Sequence, residues 1–421
     1  MTVIGLDDTD SRERGMCTTY LAARLADRVA EAGGTVERTL LVRLNPAVEH
    51  KTRGNAALAV HCDCPTDRAL ELAREELTLA ETADPDTNPG AVVAPGDPED
   101  VPATVVDHAR GAVRDLLSLS GTRDRVPADY ATVEAGTGRG LVGALAAVGA
   151  WRAFDAWTYE HIAYRERERW GTERGVDADS VRAAADAAYP DAWDTVDCAS
   201  GYPVCVPRTP CPILYGVRGD DPTACRAVAE GVESEPVARV HTFVTNQGTD
   251  AHLRDADGVD ALRDGRAYRV TGTVNAAPET RAGGHVFFEL ADDAARVDCV
   301  AFEPTKRFRD RVRALRAGDR ITACGEVADG TLKLEKFAVR DLVTVERTTP
   351  DCPACGRSME SAGADQGYRC RDCETSADGP AERPLDRDVE VGWYEVPPVA
   401  RRHIAKPLVR GGFDAPVHPE R

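Results

Sequence analysis

The sequence predicts a multi-domain α+β protein that ends in a small β-barrel and a zinc ribbon. Its 421 residues exceed the usual size of one domain, and 42% of them are hydrophobic, which suffices for ordinary buried cores. Short apolar strands alternate with helices over the first half, whereas a run of short strands begins near residue 265. Two closely spaced pairs of cysteines follow that run.

The composition is strongly acidic and poor in lysine. The chain has 52 Lys and Arg against 71 Asp and Glu, a net charge of −19, and only five of its basic residues are Lys. Such a surface suits a cytosol at molar salt, where the Debye length falls to about 3 Å. We therefore favour a halophilic source over an acidic mesophilic protein from a GC-rich genome. Acidity disfavours nucleic-acid binding, but residues 303–320 hold seven basic and three acidic residues and are the exception.

Neither membrane insertion nor export is indicated. The chain has no run of about 18 apolar residues, and its first residues, MTVIGLDDTD, become acidic too early for a signal peptide. The 13 Cys are an odd number, which disfavours a disulfide framework. We expect a cytoplasmic protein with no membrane partner.

Hydrophobic periodicity assigns the elements of the first half. It predicts a helix at 17–32 that ends at Gly33, and an apolar helix that starts at Leu141 and runs into residues 151–171. Five prolines in residues 83–102 predict a loop with little regular structure. Strands are predicted at 2–6, 39–44, 56–61, 130–135, 209–219 and 239–245.

The third quarter has the pattern of a small barrel. Five strands with a helical stretch between the third and the fourth are what an OB-fold, a five-stranded Greek-key barrel, requires. Phe287, Phe288 and Phe308 are candidates for stacking on bases, although barrel phenylalanines more often belong to the core. The strands are expected at 266–274, 285–290, 296–302, 319–327 and 331–339, and the helix at 305–315.

Two cysteine knuckles predict a structural Zn²⁺ site. Cys352-x-x-Cys355 and Cys370-x-x-Cys373 are separated by 14 residues, and Gly356 permits a tight turn after the first pair. Four thiolates leave no open position on the metal, so the zinc is expected to stabilise the fold and not to catalyse. Four unrelated thiols or a redox pair are the alternatives.

Three carboxylates end the first strand. Asp7, Asp8 and Asp10 repel one another unless a cation compensates them, and Mg²⁺ is the usual ion because it takes oxygen ligands and bridges substrate phosphates. A solvated acidic turn is the alternative. Thr18 and Thr19 open the next helix, where capping is the default role of a hydroxyl. Phosphorylation of one of them is the alternative if the carboxylates lie close.

Two glycine-containing segments suit phosphate binding. Lys51 and Arg53 lie beside Gly54 and Asn55, and two cations next to exposed backbone can clamp a phosphate. A Gly-x-Gly-x-x-Gly loop lies between a strand and a helix and predicts an ATP-phosphate loop, with tight helix packing as the alternative. It comprises Gly138, Arg139, Gly140 and Gly143. No ribose-binding carboxylate follows on a second strand, which argues against a dinucleotide site.

A series of short stretches is jointly specific to one family. In order along the chain they are GLDDTDS at 5–11, GMCTTYLA at 15–22, RLNP at 43–46, KTRGN at 51–55, TNPGAV at 87–92, GRGLVGALAAVGA at 138–150, TPCPILYGVRG at 209–219, GGHVFFE at 283–289, AFEPTK at 301–306, MESAG at 359–363 and YEVPPVARRHIAKPL at 394–408. With them the chain resembles the archaeal TiaS family, which attaches agmatine to the wobble cytidine of an isoleucine tRNA. An acidic, proline-rich loop after TNPGAV and a short acidic C-terminus are the main departures.

The resemblance implies four domains. They are a kinase-like α/β catalytic domain at 1–128, which is open to interleaving with the next, a ferredoxin-like domain at 129–262, an OB-fold at 263–345, and a four-cysteine zinc ribbon with a C-terminal tail at 346–421.

The resemblance also implies an ATP-dependent ligase that forms a carbon–nitrogen bond. ATP phosphorylates the C2 oxygen of the cytidine, the agmatine amine displaces that phosphate, and ATP ends as AMP and phosphate. Decoding then changes from AUG to AUA. The implied catalytic residues are Asp7, Asp8 and Asp10, which hold Mg²⁺, with Lys51 and Arg53, and Thr18 is the implied site of autophosphorylation. The implied ATP-binding residues are Gly54, Asn55, Gly138, Arg139, Gly140 and Gly143.

The implied partners are agmatine and an isoleucine tRNA, held by its anticodon loop and acceptor stem. Cys211, Tyr215 and Arg218 are the candidate wall of the agmatine pocket. The candidate tRNA contacts are Lys306, Arg307, Arg309, Arg401, Arg402 and Lys406. The implied cofactors are ATP, Mg²⁺ and Zn²⁺.

Two other function classes remain open from the residues alone. One is a non-catalytic single-stranded nucleic-acid-binding protein that uses the barrel and the ribbon, and the other is a kinase that acts on a small metabolite. Neither the acidic strand end nor KTRGN has a role in a pure binding protein.

Lowering the KCl concentration from about 1 M to about 0.1 M is expected to unfold the protein, because the Debye length grows from about 3 to about 10 Å and the carboxylates then repel one another. Far-UV circular dichroism across a KCl series measures this transition. A chain that stays folded at low salt would support the mesophilic interpretation.

Overall fold

The computed structural model describes residues 1–49, 51 and 54–421. A nine-stranded sheet covered by helices occupies the first part of the chain, and a closed barrel, a zinc-ribbon segment and a segment that returns to the barrel follow it. Within those ranges, no helix has the length and the apolar character needed to cross a bilayer.

The first ten elements build one half of the large sheet and its helical layers. The strands are β1 (Thr2–Asp7), β2 (Thr35–Arg43), β3 (Ala56–Asp63), β4 (Gly90–Pro95) and β5 (Ala131–Glu134). The helices are α1 (Thr18–Glu31), α2 (Thr66–Leu77), α3 (Ala103–Arg114), α4 (Leu119–Arg123) and α5 (Leu141–Ala153).

The next eight elements include the other four strands of that sheet and a separate hairpin of β8 and β9. They are β6 (Thr158–Arg165), α6 (Ala178–Ala188), β7 (Ala192–Trp193), β8 (Val196–Asp197), β9 (Tyr202–Pro203), β10 (Ile213–Gly219), α7 (Pro222–Gly231) and β11 (Val237–Thr245). The strand order is β5-β4-β1-β3-β2-β11-β6-β10-β7, and β2 and β11 pair in parallel while the other neighbours are antiparallel. Because β2 and β11 join the two halves, the sheet is continuous between them.

Alternate residues of β1 enter two separate cores. Val3 packs with α3 and α5 on one face of the sheet, whereas Ile4 and Leu6 pack with α1 and α2 on the other. Helix α5 is apolar on nearly all sides and is buried along most of its length, as expected of a helix enclosed between a sheet and another helix.

Helix α5 packs so closely on β1 and β4 that the contact admits only glycine. A Cβ on Gly5 would lie 2.1 Å from the carbonyl oxygen of Ala144, and one on Gly90 would lie 2.3 Å from the backbone nitrogen of Leu141. Both distances are far below van der Waals contact. The backbones of helix and strands therefore touch directly, which fixes the start of α5 against the end of β1.

Two predictions for the first half were wrong. Residues 83–102 contain β4, a central strand between β1 and β5, because the apolar run GAVVAP lies between the prolines that predicted a loop. The helix that starts at Leu141 ends at Ala153, and strand β6 follows it instead of further helix.

The predicted barrel is confirmed. Its elements are β12 (Leu253–Asp255), β13 (Arg266–Val274), β14 (Glu279–Thr280), β15 (Val286–Ala291), β16 (Arg296–Ala301), α8 (Phe308–Arg313), β17 (Arg320–Ala328) and β18 (Thr331–Asp341). Strand β13 pairs with β15 and β17, and β16 and β18 close the circle. Phe288 and Phe308 are buried in the barrel core, so they do not stack on bases, while Phe287 lies under the guanidinium of Arg281.

The last part of the chain leaves the barrel and returns to it. The ribbon contains β19 (Val345–Thr348), β20 (Glu360–Ser361), β21 (Tyr368–Arg369), β22 (Ser376–Ala377) and β23 (Ala381–Pro384). Strands β24 (Gly392–Glu395) and β25 (Val417–His418) follow. Because β24 pairs with β18, the C-terminal segment lies on the barrel.

A buried ion pair ties the barrel to this segment and to the end of the large sheet. The ammonium of Lys336, on β18, donates to both carboxylate oxygens of Asp250 at 2.9 and 2.8 Å and to the carbonyl of Lys406 at 2.6 Å. The side chains of Lys336 and Asp250 are only 2% and 8% exposed. The pair therefore connects three parts of the chain away from water.

Lys336→Met is expected to lower the free energy of unfolding by about 3–5 kcal/mol, because it leaves the Asp250 carboxylate buried without its cation. Lys306→Met is the matched control, since Lys306 pairs with Glu303 on the barrel surface and such pairs contribute about 0–1 kcal/mol. Urea unfolding at constant KCl measures both variants, and equal losses would contradict this role for Lys336.

Candidate active site

A cavity of about 1410 Å³ lies where the large sheet, the barrel and the C-terminal segment meet. Its walls come from the ends of β1 and β2, from the irregular segment 202–213, from barrel residues on β17 and β18, and from residues 398–403. A second cavity of about 420 Å³ lies nearby, beside Asp115 and Arg263.

The cavity brings together about half of the residues that the sequence predicted. Those that line it are Asp7, Asp8, Asp10, Thr18, Lys51, Gly54, Asn55, Arg139, Gly143, Cys211, Arg218 and Arg401. Those that do not are Gly138, Gly140, Tyr215, Lys306, Arg307, Arg309, Arg402, Lys406 and the four ribbon cysteines. Arg53 lies outside the described residues.

The acidic tip, which we define as Asp7, Asp8 and Asp10, lies at the end of β1. A Cβ on Gly143 would lie 1.9 Å from Oδ2 of Asp7, so this glycine makes room for the carboxylate. Desolvation and the neighbouring Asp8 carboxylate raise the pKa of Asp7 well above its ordinary value. Desolvation also raises the pKa of Asp8 to about 6, although Arg139 opposes it at 3.2 Å. The charged forms of these two carboxylates are therefore disfavoured by burial, and a bound cation would stabilise them.

The acidic tip fits Mg²⁺ bound through a ligand phosphate better than Mg²⁺ enclosed by protein. Among the described residues, only the four ribbon cysteines form a group of three or more His, Cys, Asp or Glu whose ligand atoms all lie within 4.8 Å of one another. The three aspartates do not converge to that degree. Mg²⁺ commonly uses one or two carboxylates and completes its shell with water and substrate phosphates.

Thr18 lies beside the acidic tip at the first position of α1. Its hydroxyl accepts a hydrogen bond from the Thr9 hydroxyl at 3.0 Å, and the residue lines the cavity although it is only 5% exposed. The residue before the helix is Cys17, and no side chain caps the helix start. The default capping role is therefore not observed, and the Thr18 hydroxyl faces the space next to the carboxylates.

Lys51 and Asn55 are bound to backbone carbonyls of residues 45–48. The Lys51 ammonium donates to the carbonyl of Val48 at 3.0 Å and to that of Pro46, and the amide of Asn55 donates to the carbonyl of Asn45 at 2.9 Å. Desolvation and the positive charge of Arg402 lower the pKa of Lys51. These contacts hold the lysine at the cavity edge through neutral acceptors, and no carboxylate of the described residues is in contact with its ammonium.

The glycine-rich loop has a packing role. Gly140 has no room for a Cβ, which would lie 2.4 Å from the Gly90 nitrogen, and Gly138 adopts a left-handed conformation with φ of 78°. The alternative of tight packing is therefore observed for Gly140, whereas Gly138 is favoured by its left-handed backbone conformation. Arg139 and Gly143 reach the cavity, so the predicted phosphate contact is limited to these two residues.

Segment 202–213 is held in place by one guanidinium. Arg174 donates to the carbonyls of Pro207 at 2.8 Å, Thr209 at 2.9 Å and Ile213 at 2.9 Å, and its Nη2 lies 3.1 Å from Sγ of Cys211. Cys211 lines the cavity as predicted. The sequence did not reveal Arg174, because its partners are carbonyls more than thirty residues away.

Tyr215 does not form part of the predicted agmatine wall. Its hydroxyl donates to the carbonyl of Ala229 on α7 at 3.1 Å, and its ring packs in the core beneath that helix. Successive residues of a strand point to opposite faces, and Gly216 and Arg218 line the cavity while Tyr215 and Val217 are buried in that core. The prediction failed because it treated the whole stretch as one surface.

The cavity floor, which we define as Arg43, Glu160, Arg218 and His403, contains three residues that the sequence analysis missed. Arg43 ends β2, and its guanidinium lies 3.9 Å from the carboxylate of Glu160 on β6. Desolvation and the charges of Arg43 and Arg218 lower the pKa of His403 well below its ordinary value. Arg43 and His403 both lie in stretches that carry the family resemblance, RLNP at 43–46 and YEVPPVARRHIAKPL at 394–408.

Most of the predicted tRNA contacts are engaged within the protein. The predicted tRNA contact of Arg401 was wrong, because its guanidinium is buried against Asp194 and Glu395. Arg307 binds Asp197 and Glu420. The cations of the remaining four also have partners: Lys306 and Arg309 with Glu303, Arg402 with Glu326 and Glu335, and Lys406 over the ring of Phe413. Lys306 remains the most exposed of the six.

The predicted zinc site has the required donor geometry. The thiols of Cys352, Cys355, Cys370 and Cys373 lie within 4.8 Å of one another, which fits the tetrahedral coordination of Zn²⁺ by four thiolates. Desolvation opposes ionisation of Cys352, but hydrogen bonds from the backbone N–H groups of Cys355 and Ala354 outweigh it and lower its pKa to about 6. The site lies apart from the cavity and has a structural role.

Cys352→Ser is expected to abolish binding of one zinc ion per chain and to open residues 346–390 to protease, because the ribbon has almost no other core. Cys198→Ser, which changes an exposed cysteine outside the ribbon, is the control. Zinc content by atomic absorption and limited proteolysis measure the effect. A wild-type chain that contains no zinc would contradict the assignment.

Family models match four successive parts of the chain. The TiaS TCKD domain matches residues 3–66, the TiaS FLD domain residues 138–252, an OB-fold nucleic acid binding domain residues 268–331, and the TiaS C-terminal zinc ribbon domain residues 349–389. They occur in the order in which the elements were predicted.

Whole-length relatives agree with these matches. The chain is 52% identical to the isoleucine-tRNA 2-agmatinylcytidine synthetase TiaS of Haloquadratum walsbyi, with 100% of both chains covered, and 45% identical to the protein of that name of Methanosarcina mazei, with 97% of both covered. A crystal structure of TiaS in complex with its isoleucine tRNA and ATP aligns with a TM-score of 0.90 at 40% identity, covering 100% of this chain and 99% of the other. A complex of TiaS with that tRNA, AMPCPP and agmatine aligns with a TM-score of 0.87 at 38% identity, covering 100% and 99%. The chain belongs to the TiaS family.

Proposed function

We propose that the protein is an ATP-dependent ligase that attaches agmatine to C2 of the wobble cytidine of an isoleucine tRNA. Relatives at about this similarity were crystallised with an isoleucine tRNA, with ATP and with agmatine. The observation that carries the proposal is the single cavity in which the acidic tip, Thr18 and the barrel wall meet. One space is thus accessible to a nucleotide, a base and an amine.

Phosphoryl transfer is supported by the charges at the acidic tip. Mg²⁺ supplies charge neutralisation between the carboxylates and the triphosphate when it is bound. Asp7 and Asp8 would hold it, with Asp10 beside them. Arg139, which is 3.2 Å from Asp8, and Lys51 across the cavity would orient the phosphates.

We propose that Thr18 accepts a phosphoryl group. Its hydroxyl lies in the same cavity as the carboxylates and is bound by only the Thr9 hydroxyl among its described hydrogen bonds. A hydroxyl that faces a bound triphosphate in line with its leaving group is a competent nucleophile. We therefore keep Thr18 as the site of autophosphorylation.

The second step is displacement by the amine. Phosphorylation of the C2 oxygen turns a poor leaving group into phosphate, and the amine of agmatine then bonds to C2 as the carbon–oxygen bond breaks. The amine must approach from a side that the triphosphate does not occupy. Segment 202–213, with Cys211, and the barrel wall, with Lys333, both line the cavity. In the proposed arrangement, the first would bind the amine and the second would face the RNA.

The target base has to leave the anticodon stack to reach the cavity, since its C2 oxygen is buried among neighbouring bases in stacked RNA. A barrel that forms one wall of the cavity explains how the RNA is held while one base enters. We place the reaction in the cytoplasm, where tRNA is modified. A non-catalytic binding protein would have no role for the acidic tip.

Asp8→Asn is expected to reduce tRNA- and agmatine-dependent ATP turnover at least about 100-fold, because it removes a charged Mg²⁺ ligand. Binding of tRNA should stay within about twofold, since Asp8 faces the nucleotide. Asp100→Asn, an exposed change of the same type, is the control for surface charge.

Release of AMP and the mass of the product tRNA measure turnover, and filter binding measures affinity. Loss of both activity and tRNA binding in Asp8→Asn would contradict the location of the active site. Turnover that ignores RNA would support a kinase that acts on a small metabolite.

A further inference from the structure

Arg218 is a buried cation that lacks a hydrogen-bond partner in the described part of the chain. It is 4% exposed, lines the cavity floor, and its guanidinium makes no hydrogen bond with any residue in the ranges 1–49, 51 and 54–421. Its nearest carboxylate, Asp194, is 3.9 Å away, and the ring of Trp193 lies 5.7 Å from its central carbon. Arginine carries five N–H donors in a planar fork. Within the described ranges, the donors of Arg218 are therefore available to a ligand.

The two oxygens of the Asp194 carboxylate differ, because Oδ2, at 3.9 Å from Nη1 of Arg218, has no hydrogen-bond partner among the described residues. The other oxygen, Oδ1, accepts from the buried guanidinium of Arg401, which also binds Glu395 at 2.8 Å. A distance of 3.9 Å from Arg218 exceeds hydrogen-bond length. Unsatisfied donors on a buried charged group are costly, and proteins keep them where a ligand supplies the acceptors.

Two other groups of the cavity floor face the same space. The Arg43 guanidinium donates to the carbonyl of Gly54 at 3.0 Å and to Gln247 at 3.2 Å, while its Nε has no partner among the described residues. Nη1 of Arg43 and the ring of His403 both lie within 4 Å of the point where a Cβ on Gly54 would be. The imidazole and the guanidinium therefore border one small region of the cavity.

Charge at the cavity floor favours an anion. Desolvation and the positive charges of Arg43 and Arg218 lower the pKa of His403, and desolvation, with a smaller contribution from Arg218, lowers the pKa of Arg43. Two carboxylates oppose them, Glu160 at 3.9 Å from Arg43 and Asp194 at 3.9 Å from Arg218, but Gln247 donates to Glu160 and Arg401 donates to Asp194. Two cations that raise each other's energy in a desolvated site are stabilised by an anionic ligand.

This arrangement changes the role predicted for Arg218. Agmatine is a cation at both ends at neutral pH, so a second guanidinium would repel it. A phosphate group, in contrast, matches the planar fork of arginine and accepts several hydrogen bonds.

We propose that Arg218, Arg43 and His403 form a phosphate-binding subsite on the cavity floor, with Arg218 as its principal ligand. The phosphate has two sources within the proposed function, on which this part of the inference rests. One is a backbone phosphate of the RNA next to the target cytidine, and the other is the inorganic phosphate that the reaction releases.

The subsite is tested first with inorganic phosphate alone. Calorimetric titration of the full, zinc-loaded chain compares the wild type with Arg218→Gln, which removes the charge and the fork. Arg226→Gln, an exposed arginine on α7, is the matched control. The dissociation constant for phosphate is expected to rise at least about tenfold in Arg218→Gln and to stay unchanged in Arg226→Gln.

His403→Ala gives an independent second variant, because the His403 side chain is open to the cavity. It is expected to weaken phosphate binding by about two- to fivefold, as the loss of one neutral hydrogen bond does. Unchanged phosphate affinity in both Arg218→Gln and His403→Ala, or a wild-type chain that binds no phosphate, overturns the proposal.

The source of the phosphate is distinguished by the salt dependence of tRNA binding. A backbone contact predicts that the slope of log K against log[KCl] becomes shallower by about 0.7–0.9 in Arg218→Gln. A subsite for released phosphate predicts an unchanged slope with loss of product inhibition by phosphate. A wild-type chain that binds phosphate but makes no agmatine–tRNA would contradict the proposed function and leave the subsite standing.

Discussion

The direct backbone contact between α5 and the strands β1 and β4 determines where the chemistry can occur. It exists because Gly5, Gly90, Gly140 and Gly143 have no Cβ at positions where one would collide with backbone or with the Asp7 carboxylate. The contact brings the glycine-rich loop to the end of β1. As a result Asp7 is pressed against the first turn of a helix, close to Asp8 and to Arg139. The same segment that the sequence suggested for phosphate binding acts mainly by positioning the carboxylates.

The cavity contains an acidic tip and basic side chains on its floor, and we propose that these two groups bind different reactants. At one end the acidic tip favours a cation, and at the floor Arg43 and Arg218 favour an anion. In a chain with a net charge of −19, a cluster of cations at one place is a local departure from the overall field. Burial sharpens this polarity, because charges in a desolvated cavity interact more strongly than charges at the surface.

Features that depend on residues close together in sequence were predicted correctly. The zinc knuckles, the barrel strands and the acidic end of β1 were all read from residues close together in sequence, and the structure contains them as elements or clusters. Strand β4 was missed because the prolines around GAVVAP predicted a loop. The strands with which it pairs, β1 and β5, are distant in sequence. Tyr215 was wrongly assigned to the cavity wall, because the sequence does not show which face of β10 lines the cavity. Arg401 was read as a surface cation, but β24 brings it back against Asp194 more than two hundred residues away.

The central claim is that the acidic tip binds the terminal phosphates of the nucleotide. A crystal structure of this chain with Mg²⁺ and a non-hydrolysable ATP analogue tests it most directly. The account predicts a Mg²⁺ ion about 2.0–2.1 Å from an oxygen of Asp7 or Asp8 and bound to the triphosphate, with Thr18 facing the γ-phosphate. A triphosphate bound elsewhere, with the tip left to solvent, would contradict it.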